Sequence, residues 1–292
     1  MSAGVAWDSG KGHRDENFPV ASVLIAPRHR AAVLAFYRVA RMADDVADHS
    51  TAAPADKLAR LEAIERSLTG ADEQVPQAAA LRRVLAARDL SARHILELIA
   101  AFRLDVTKNR YADWADLMDY CRLSAAPVGR FVLDVHGEPQ GLWPASDALC
   151  AALQVINHLQ DCGADFRDLN RVYVPQDALS AAGVEVESLG AAKASAALRG
   201  VIASLAQRTG GLLETARPLA RRVGDLRLGL EIAVIHRLAQ SLNRRLTRRD
   251  PLCERVHHRA PEAAGLALLA AGGALRSRLG SARASGSGIG RG

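Results

Sequence analysis

The chain has 292 residues, of which 49% are hydrophobic and 4% aromatic, so it is long enough to bury a substantial core. It contains 38 lysines and arginines against 32 aspartates and glutamates, a net charge of +6. This excess suits an anionic substrate or an anionic membrane surface, and the lack of basic runs interleaved with aromatic residues makes nucleic acid the weakest of the three partners.

Helical periodicity dominates the chain, and no alternating strand pattern joined by hairpin turns is present. We predict a flexible N-terminal segment at 1–16, a single all-α domain at 17–280 and a flexible C-terminal tail at 281–292. The helices are predicted at 28–49, 55–69, 76–88, 91–102, 113–136, 145–166, 190–222, 224–247 and 260–279.

The lack of a secretory signal and the spacing of the cysteines both predict a cytoplasmic protein. The N-terminus has no apolar core of the kind found in secretory signals, and the longest apolar stretch, about 263–275, is too short to cross a bilayer. The four cysteines show no CxxC spacing, so neither a zinc site nor a disulfide framework is indicated. We expect a cytoplasmic protein whose membrane contact, if any, is peripheral.

The first long helix carries a polar stripe on an otherwise apolar surface. Tyr37, Arg41, Asp44 and Asp48 lie at offsets of 0, 4, 7 and 11 residues, which return to one side of a helix with 3.6 residues per turn. The adjacent Asp45 points about 100° away from Asp44, so it either faces solvent or supports bound metal ions from the side.

A second stripe lies on the helix predicted at 145–166. Gln154, Asn157, Asp161 and Asp165 lie at offsets of 0, 3, 7 and 11. Asp168 continues the stripe close to the helix end, where metal binding and a capping or surface role both stay open. The residues beside the stripe, His158 and Cys162, are interpreted as structural.

Two carboxylate rows on apolar helices indicate cations between them. A single DDVAD or DxxxD motif is typical of a solvated acidic face, but ionised carboxylates removed from water are costly unless paired or bound to metal. Mg²⁺ takes carboxylate and phosphate oxygens together, so the rows predict a diphosphate site with two or three Mg²⁺ ions. Arg41, and Arg167 or Arg171 in the loop predicted at 167–177, are placed to contact phosphate oxygens.

At these residues the sequence resembles the squalene/phytoene synthase family, which joins two prenyl chains head to head. The resemblance covers 16 to about 256. It is carried by ENFPVAS at 16–22, FYRVARMADDVAD at 36–48, RYADWADLMDYCRLSAAPVGR at 110–130 and LQVINHLQDCGADFRDLNRVYVPQD at 153–177.

The resemblance implies an all-α isoprenoid synthase fold with a central apolar cavity. It implies Mg²⁺ ligation by Asp44, Asp48, Asp161 and Asp165. Residues implied to contact the diphosphate or shape its site are Ser22, Tyr37, Arg41, Arg171 and Tyr173. Residues implied to line the prenyl cavity or its polar rim are Tyr120, Ser124, Val128, Gly129, Gln154 and Asn157.

Within the family, the sequence is most similar to the branch that forms hydroxysqualene in hopanoid biosynthesis. Gln160 stands where condensing relatives usually have Arg; it would offer the diphosphate hydrogen bonds without a charge. The branch implies a lyase that converts presqualene diphosphate and water to hydroxysqualene and diphosphate. Its pathway neighbours would be a presqualene diphosphate synthase and a squalene-forming reductase.

Two alternatives stay open at the level of sequence. One is a condensing prenyltransferase that makes presqualene diphosphate, phytoene or dehydrosqualene from simpler prenyl diphosphates. The other is a non-catalytic relative that acts as a binding or assembly factor, although the chain keeps all four acidic motif positions. No glycine-rich dinucleotide fingerprint follows a predicted strand, so NADPH is not expected.

Overall fold

The computed structural model describes residues 25–286, and side chains within residues 25–276. This part of the chain forms twelve α-helices and two short 3₁₀ turns; its one β feature is an isolated bridge between Arg110 and Val172. The predicted all-α class is confirmed. The helices are α1 (Pro27–Asp48), α2 (Pro54–Thr69), α3 (Pro76–Ala86), α4 (Arg93–Thr107), α5 (Trp114–Ser124), α6 (Ala126–Val135), α7 (Trp143–Leu169), α8 (Gln176–Ala181), α9 (Ala196–Ala216), α10 (Leu219–Arg222), α11 (Leu226–Leu246) and α12 (Ala260–Gly286).

Several helices begin at residues with a clear local reason to start one. Proline occupies the first turn of α1, α2, α3, α6 and α7, where its missing N–H costs no hydrogen bond. The side chains of Asp113, Ser195 and Asp225 cap α5, α9 and α11 by accepting a backbone N–H three residues later.

The helix boundaries differ from the predicted ones where proline or a left-handed residue intervenes. The range 113–136 is divided at Ala125, just before Pro127, and the range 190–222 is divided at Pro218, because proline cannot supply the interior hydrogen bond. Helix α7 continues to Leu169 and ends at Asn170, whose φ is 52°. The predicted loop at 167–177 is therefore shorter, and α8 follows it.

Two apolar clusters form the core. One is built by α1–α4 together with Phe131 and Val135 of α6, and the other mainly by α5–α11. The fully buried Val39 and Ala43 orient α1 toward the first cluster, whereas Ala152 and Ile156 orient α7 toward the second. Burying these faces leaves the polar stripe of each helix on the side where the clusters meet.

None of the helices described is both long enough and apolar enough to cross a bilayer. Residues 1–24 and 287–292 lie outside the described part. The predicted N-terminal segment and the end of the predicted C-terminal tail fall there, so both stay predictions. Helix α12 extends to Gly286, farther than the predicted 279.

Candidate active site

A polar cleft of about 420 Å³ lies where the two apolar clusters meet. Both predicted stripes line it, one from α1 and the other from α7. The site residues on its walls are Tyr37, Arg41, Asp44, Asp48, Tyr120, Ser124, Val128, Gln154, Asn157, Asp161, Asp165, Arg171 and Tyr173. The structure thus brings together most of the residues predicted for the site, although the two stripes lie more than 100 positions apart in the chain.

On α1, the guanidinium of Arg41 holds two neighbouring carboxylates. Its Nη1 donates to Asp44 Oδ2 at 2.8 Å, and its Nη2 donates to Asp45 Oδ1 at 2.6 Å. Burial and the carboxylate of Asp48 raise the pKa of Asp44 to about 8, although Arg41 opposes the shift. Asp45 is buried beside Arg41 and does not line the cleft, so the structure favours a supporting position for it over ligation.

Arg171, in the loop after α7, contacts the carboxylate row of α1. Its Nη1 donates to Asp48 Oδ1 at 2.5 Å, and its Nη2 donates to the carbonyl of Ala47 at 3.0 Å. Burial, followed by the charges of Asp161 and Asp48, raises the pKa of Asp165 to about 7, while Arg171 lowers it. The carboxylates of the two helices therefore interact across the cleft.

Asp105 of α4 is a buried carboxylate in the cleft that the sequence analysis missed. Its oxygens accept hydrogen bonds from Tyr120 Oη at 2.9 Å and from Tyr173 Oη at 3.1 Å, and Arg171 Nε donates to its backbone carbonyl at 3.1 Å. Burial raises the pKa of Asp105 to about 6 against the opposing effect of Arg171. A lone aspartate in the apolar segment IAAFRLDV was the signal that could have indicated it.

His158 also lines the cleft, beyond the structural role that we expected. Its ring stacks on Tyr173 with centroids 3.5 Å apart, and its Nε2 lies 3.1 Å from Gln154 Nε2. Burial, and secondarily Arg171, lowers the pKa of His158 to about 3. The imidazole is therefore neutral near pH 7 and contributes hydrogen bonding without charge.

An apolar cavity of about 260 Å³ adjoins the polar cleft. Tyr37, Ala40 and Val128 line both spaces, so they form the boundary between them. The cavity continues among α1, α6, α7 and α11, with Gly129 on its wall. A molecule with a charged head and a long apolar tail matches this division.

Some predicted residues lie outside the cleft lining. The side chain of Gln160 is buried and donates from Nε2 to the carbonyl of Val256, so the predicted contact with the diphosphate is not supported by this arrangement. Arg167 and Asp168 are exposed on the last turn of α7, away from the cleft lining. Ser22 lies outside the described residues.

The donor set of the cleft fits hard divalent cations together with a diphosphate. The four aspartates supply only oxygen ligands, which Mg²⁺ prefers, and Arg41 and Arg171 supply charge-assisted donors for phosphate oxygens. Burial, and after it the charge of a neighbouring carboxylate, raises the pKa of Asp44 and of Asp165, so their ionised forms are favoured by a cation placed between the rows.

A separate group of potential ligands lies at the opposite end of α1. Ligand atoms of His29, His136 and Asp225 all lie within 4.8 Å of one another. Arg28 Nε donates to His29 Nε2 at 2.8 Å, and Arg28 Nη2 lies 3.3 Å from Asp225 Oδ2. A guanidinium thus already supplies positive charge to this group.

Comparison with known proteins supports the same interpretation. Residues 12–262 match the family model for squalene/phytoene synthase. The chain is 56% identical over 257 residues to hydroxysqualene synthase of Rhodopseudomonas palustris, covering 88% of each chain. It is 54% identical over 271 residues to hydroxysqualene synthase of Zymomonas mobilis, covering 92% of this chain and 91% of that protein. The crystal structure of squalene synthase HpnC from Alicyclobacillus acidocaldarius superposes with a TM-score of 0.70 at 32% identity, covering 78% of this chain and 87% of that one.

Proposed function

The chain belongs to the squalene/phytoene synthase family, and on this premise we propose that it converts presqualene diphosphate and water to hydroxysqualene and diphosphate. Relatives named hydroxysqualene synthase match at 54–56% identity over most of the chain, which favours this water-terminated lyase over the condensing prenyltransferase and the non-catalytic alternative.

The observation that carries the proposal is that the two spaces adjoin each other. Aspartates from α1 and α7 line a cleft whose wall at Tyr37 and Val128 is also the wall of the apolar cavity. The diphosphate of the substrate would lie among the carboxylates and arginines, and its hydrocarbon chains would occupy the apolar side. Excluding bulk water there would preserve a carbocation until it rearranges.

Each group of residues has a distinct part in the reaction. Asp44, Asp48, Asp161 and Asp165 would hold Mg²⁺ ions, which when bound offset the charge on the leaving diphosphate. Arg41 and Arg171 would donate to its oxygens as the C–O bond breaks and the electron pair leaves with diphosphate. The cyclopropylcarbinyl cation then rearranges, the oxygen of water adds to it, and loss of a proton gives the alcohol.

Ser124 is suited to hold the water that ends the reaction. It lines the cleft, and its Oγ is buried with no hydrogen-bond partner among the described residues. A buried hydroxyl without a partner is costly, and an ordered water would satisfy it. Ser124→Ala should lower the ratio of hydroxysqualene to hydrocarbon by-products roughly tenfold, whereas Ser124→Thr should keep the hydroxyl and most of the product.

Product analysis tests the overall proposal. Purified full-length protein with Mg²⁺ and presqualene diphosphate should yield hydroxysqualene by gas chromatography and mass spectrometry, without NADPH. In ¹⁸O-labelled water the product should gain two mass units, because its oxygen comes from solvent.

Other products would replace the proposal with one of the alternatives. Presqualene diphosphate or phytoene formed from simple prenyl diphosphates would identify a condensing synthase. Failure to convert presqualene diphosphate, together with no Mg²⁺-dependent binding of a non-hydrolysable diphosphate analogue, would support a binding factor.

The chemistry of the substrate and the product also indicates which enzymes must act before and after this one, and where the protein works. A presqualene diphosphate synthase must supply the substrate, and a reductase that removes the hydroxyl must act on the product if squalene is formed. Because both compounds are lipids, we propose that the protein works in the cytoplasm with peripheral contact to the membrane.

A further inference from the structure

The outward side of α12 is apolar and exposed. Leu268 is 76% exposed and Leu269 67% exposed. Leu275 lies seven residues after Leu268, on the same side of the helix, and is 39% exposed. The segment 263–275, AAGLALLAAGGAL, contains no charged residue. Because the outer face of a surface helix normally carries polar residues, this exposed stripe is typical of a binding surface.

A basic cleft of about 850 Å³ lies beside the start of α12. The arginines that line it are Arg245, Arg249, Arg255 and Arg259. Glu262 is the only carboxylate on its described walls, and it pairs with Arg245. Within the described part of the chain, Arg255 and Arg259 form no ion pair. The cleft therefore carries an excess of positive charge immediately next to the apolar stripe.

We propose that the apolar stripe of α12 and this arginine cleft together dock the protein on an anionic phospholipid bilayer. Leucines on one face would enter the boundary between headgroups and acyl chains, while the arginines would contact lipid phosphates. The bilayer is one occupant that satisfies both halves of the surface at once.

A second copy of the chain satisfies the surface less well. Basic residues flank the leucines at both ends, since the arginine cleft lies beside the start of α12 and the exposed Arg276 follows Leu275. In a twofold contact the same patch meets itself, so the basic ends would face basic ends in either helix direction. Anionic headgroups, in contrast, would offset the charge at both ends.

The docking surface is joined to the polar cleft. Gln160, next to Asp161 on α7, donates to the carbonyl of Val256 in the segment that leads into α12. Docking would thus bring the carboxylate rows close to the bilayer surface. This consequence for lipid substrates rests on the proposed function, whereas the docking itself does not.

Vesicle binding by the full-length protein tests the proposal. Cosedimentation should be strong with phosphatidylglycerol-containing vesicles, weak with pure phosphatidylcholine, and reduced in 1 M salt because of screening. Leu268→Gln with Leu269→Gln should lower the fraction bound at least about tenfold. The matched control, Leu268→Met with Leu269→Met, keeps size and helix propensity but stays apolar, and should bind like the unaltered protein.

The arginines have their own matched control. Arg255→Gln with Arg259→Gln should weaken binding to anionic vesicles several-fold, whereas Arg82→Gln with Arg83→Gln on α3 removes the same charge elsewhere and should bind more strongly than the first pair. Activity of the leucine variants on detergent-dispersed presqualene diphosphate should be unchanged, which separates docking from catalysis.

Several outcomes would overturn the proposal. These are failure of the unaltered protein to bind anionic vesicles, equal binding by the glutamine and methionine leucine pairs, or a dimer that the glutamine pair converts to monomer without any vesicle binding. Thermal unfolding monitored by circular dichroism checks that each variant is folded; if the double variant is not, Leu275→Gln alone provides the test.

Discussion

At the scale of single residues, Asp161 and Asp168 allow a matched comparison of a carboxylate inside the cleft with one outside it. Both lie on α7, but Asp161 lines the polar cleft and Asp168 is exposed outside the cleft lining. Asp161→Asn should lower kcat about 100-fold or more, because it weakens a proposed metal ligand that acts as the C–O bond breaks. Asp168→Asn should retain nearly full turnover. Steady-state kinetics on presqualene diphosphate decides, and near-normal activity of Asp161→Asn would show that the second row is not a metal site.

The same substitution should leave the fold intact. Asp161 contributes to the raised pKa of Asp165, so removing its charge relieves repulsion between the two carboxylates in the metal-free protein. We expect the Tm of Asp161→Asn without Mg²⁺ to equal or exceed that of the unaltered protein. A large fall in Tm would mean that lost activity reflects misfolding.

Asp105 should make stability depend on pH. Its pKa is raised by burial to about 6 from the ordinary 3.8, so its contribution to stability is complete below pH 3.8 and is lost as pH rises through about 6. The loss corresponds to about 3 kcal/mol. Asp105→Asn, which cannot ionise, should therefore gain about 2.5 kcal/mol in unfolding free energy relative to the unaltered protein between pH 4 and pH 7.5.

Urea unfolding at the two pH values measures this difference. Asp119→Asn is the control, because that carboxylate is exposed on α5 and its removal should change the difference little. If the Asp105→Asn difference is independent of pH, the pKa of Asp105 is the same in the folded and unfolded states, and the hydrogen bonds from Tyr120 and Tyr173 balance the cost of its burial.

At the scale of helices, Gly129 allows α6 and α7 to approach each other closely. A Cβ added at Gly129 would lie 2.6 Å from Cys150 Sγ and would also collide with Ser146 Oγ, both on α7. Gly129→Ala should therefore destabilise the protein by about 1–3 kcal/mol through overpacking. Gly200 of α9 has no atom within 4 Å of such a Cβ, so Gly200→Ala should stabilise by about 0.5–1 kcal/mol. Denaturant unfolding of both variants checks the opposite signs.

At the scale of the whole molecule, ligands in the cleft should tie the two apolar clusters together. Asp44 belongs to a helix of one cluster and Asp161 to a helix of the other. Mg²⁺ with inorganic diphosphate, at about 100 times its Kd, should raise Tm by roughly 5–10 °C. Differential scanning fluorimetry measures the shift. Asp44→Asn and Asp161→Asn should each reduce it strongly, and a shift that survives both would place the ligand elsewhere.

Much of the site was predictable because the spacing of residues along a helix determines the side of the helix on which each side chain lies. Residues at offsets of 0, 4, 7 and 11 must share a side of a helix, so the rows ending at Asp48 and Asp165 could be recognised without coordinates. Asp105 escaped because it stands alone in its helix and has no stripe around it. The diphosphate contact of Gln160 stays a prediction, and its position beside Asp161 did not reveal the hydrogen bond that its side chain donates to the carbonyl of Val256.

The positions at which helices begin and end were less predictable than the presence of the helices, because apolar periodicity continues across the breaks. Ala125 and Pro218 interrupt segments whose apolar periodicity continues on both sides. Periodicity therefore predicts one helix where the backbone forms two. The leucines of α12 are of a residue type that is typical of the core, so the sequence did not predict their exposure. The packing of α12 on α11 leaves Leu268 and Leu269 facing outward.

The sequence alone determined the all-α class, the two carboxylate rows and the family resemblance, because these depend on residue type and on the fixed geometry of a helix. Tertiary structure decided that the two rows meet, how Arg171 links Asp48 to Asp105, and where the polar cleft adjoins the apolar cavity. These features join residues far apart in the chain, and their geometry follows from how two apolar clusters pack against each other, which local periodicity does not contain.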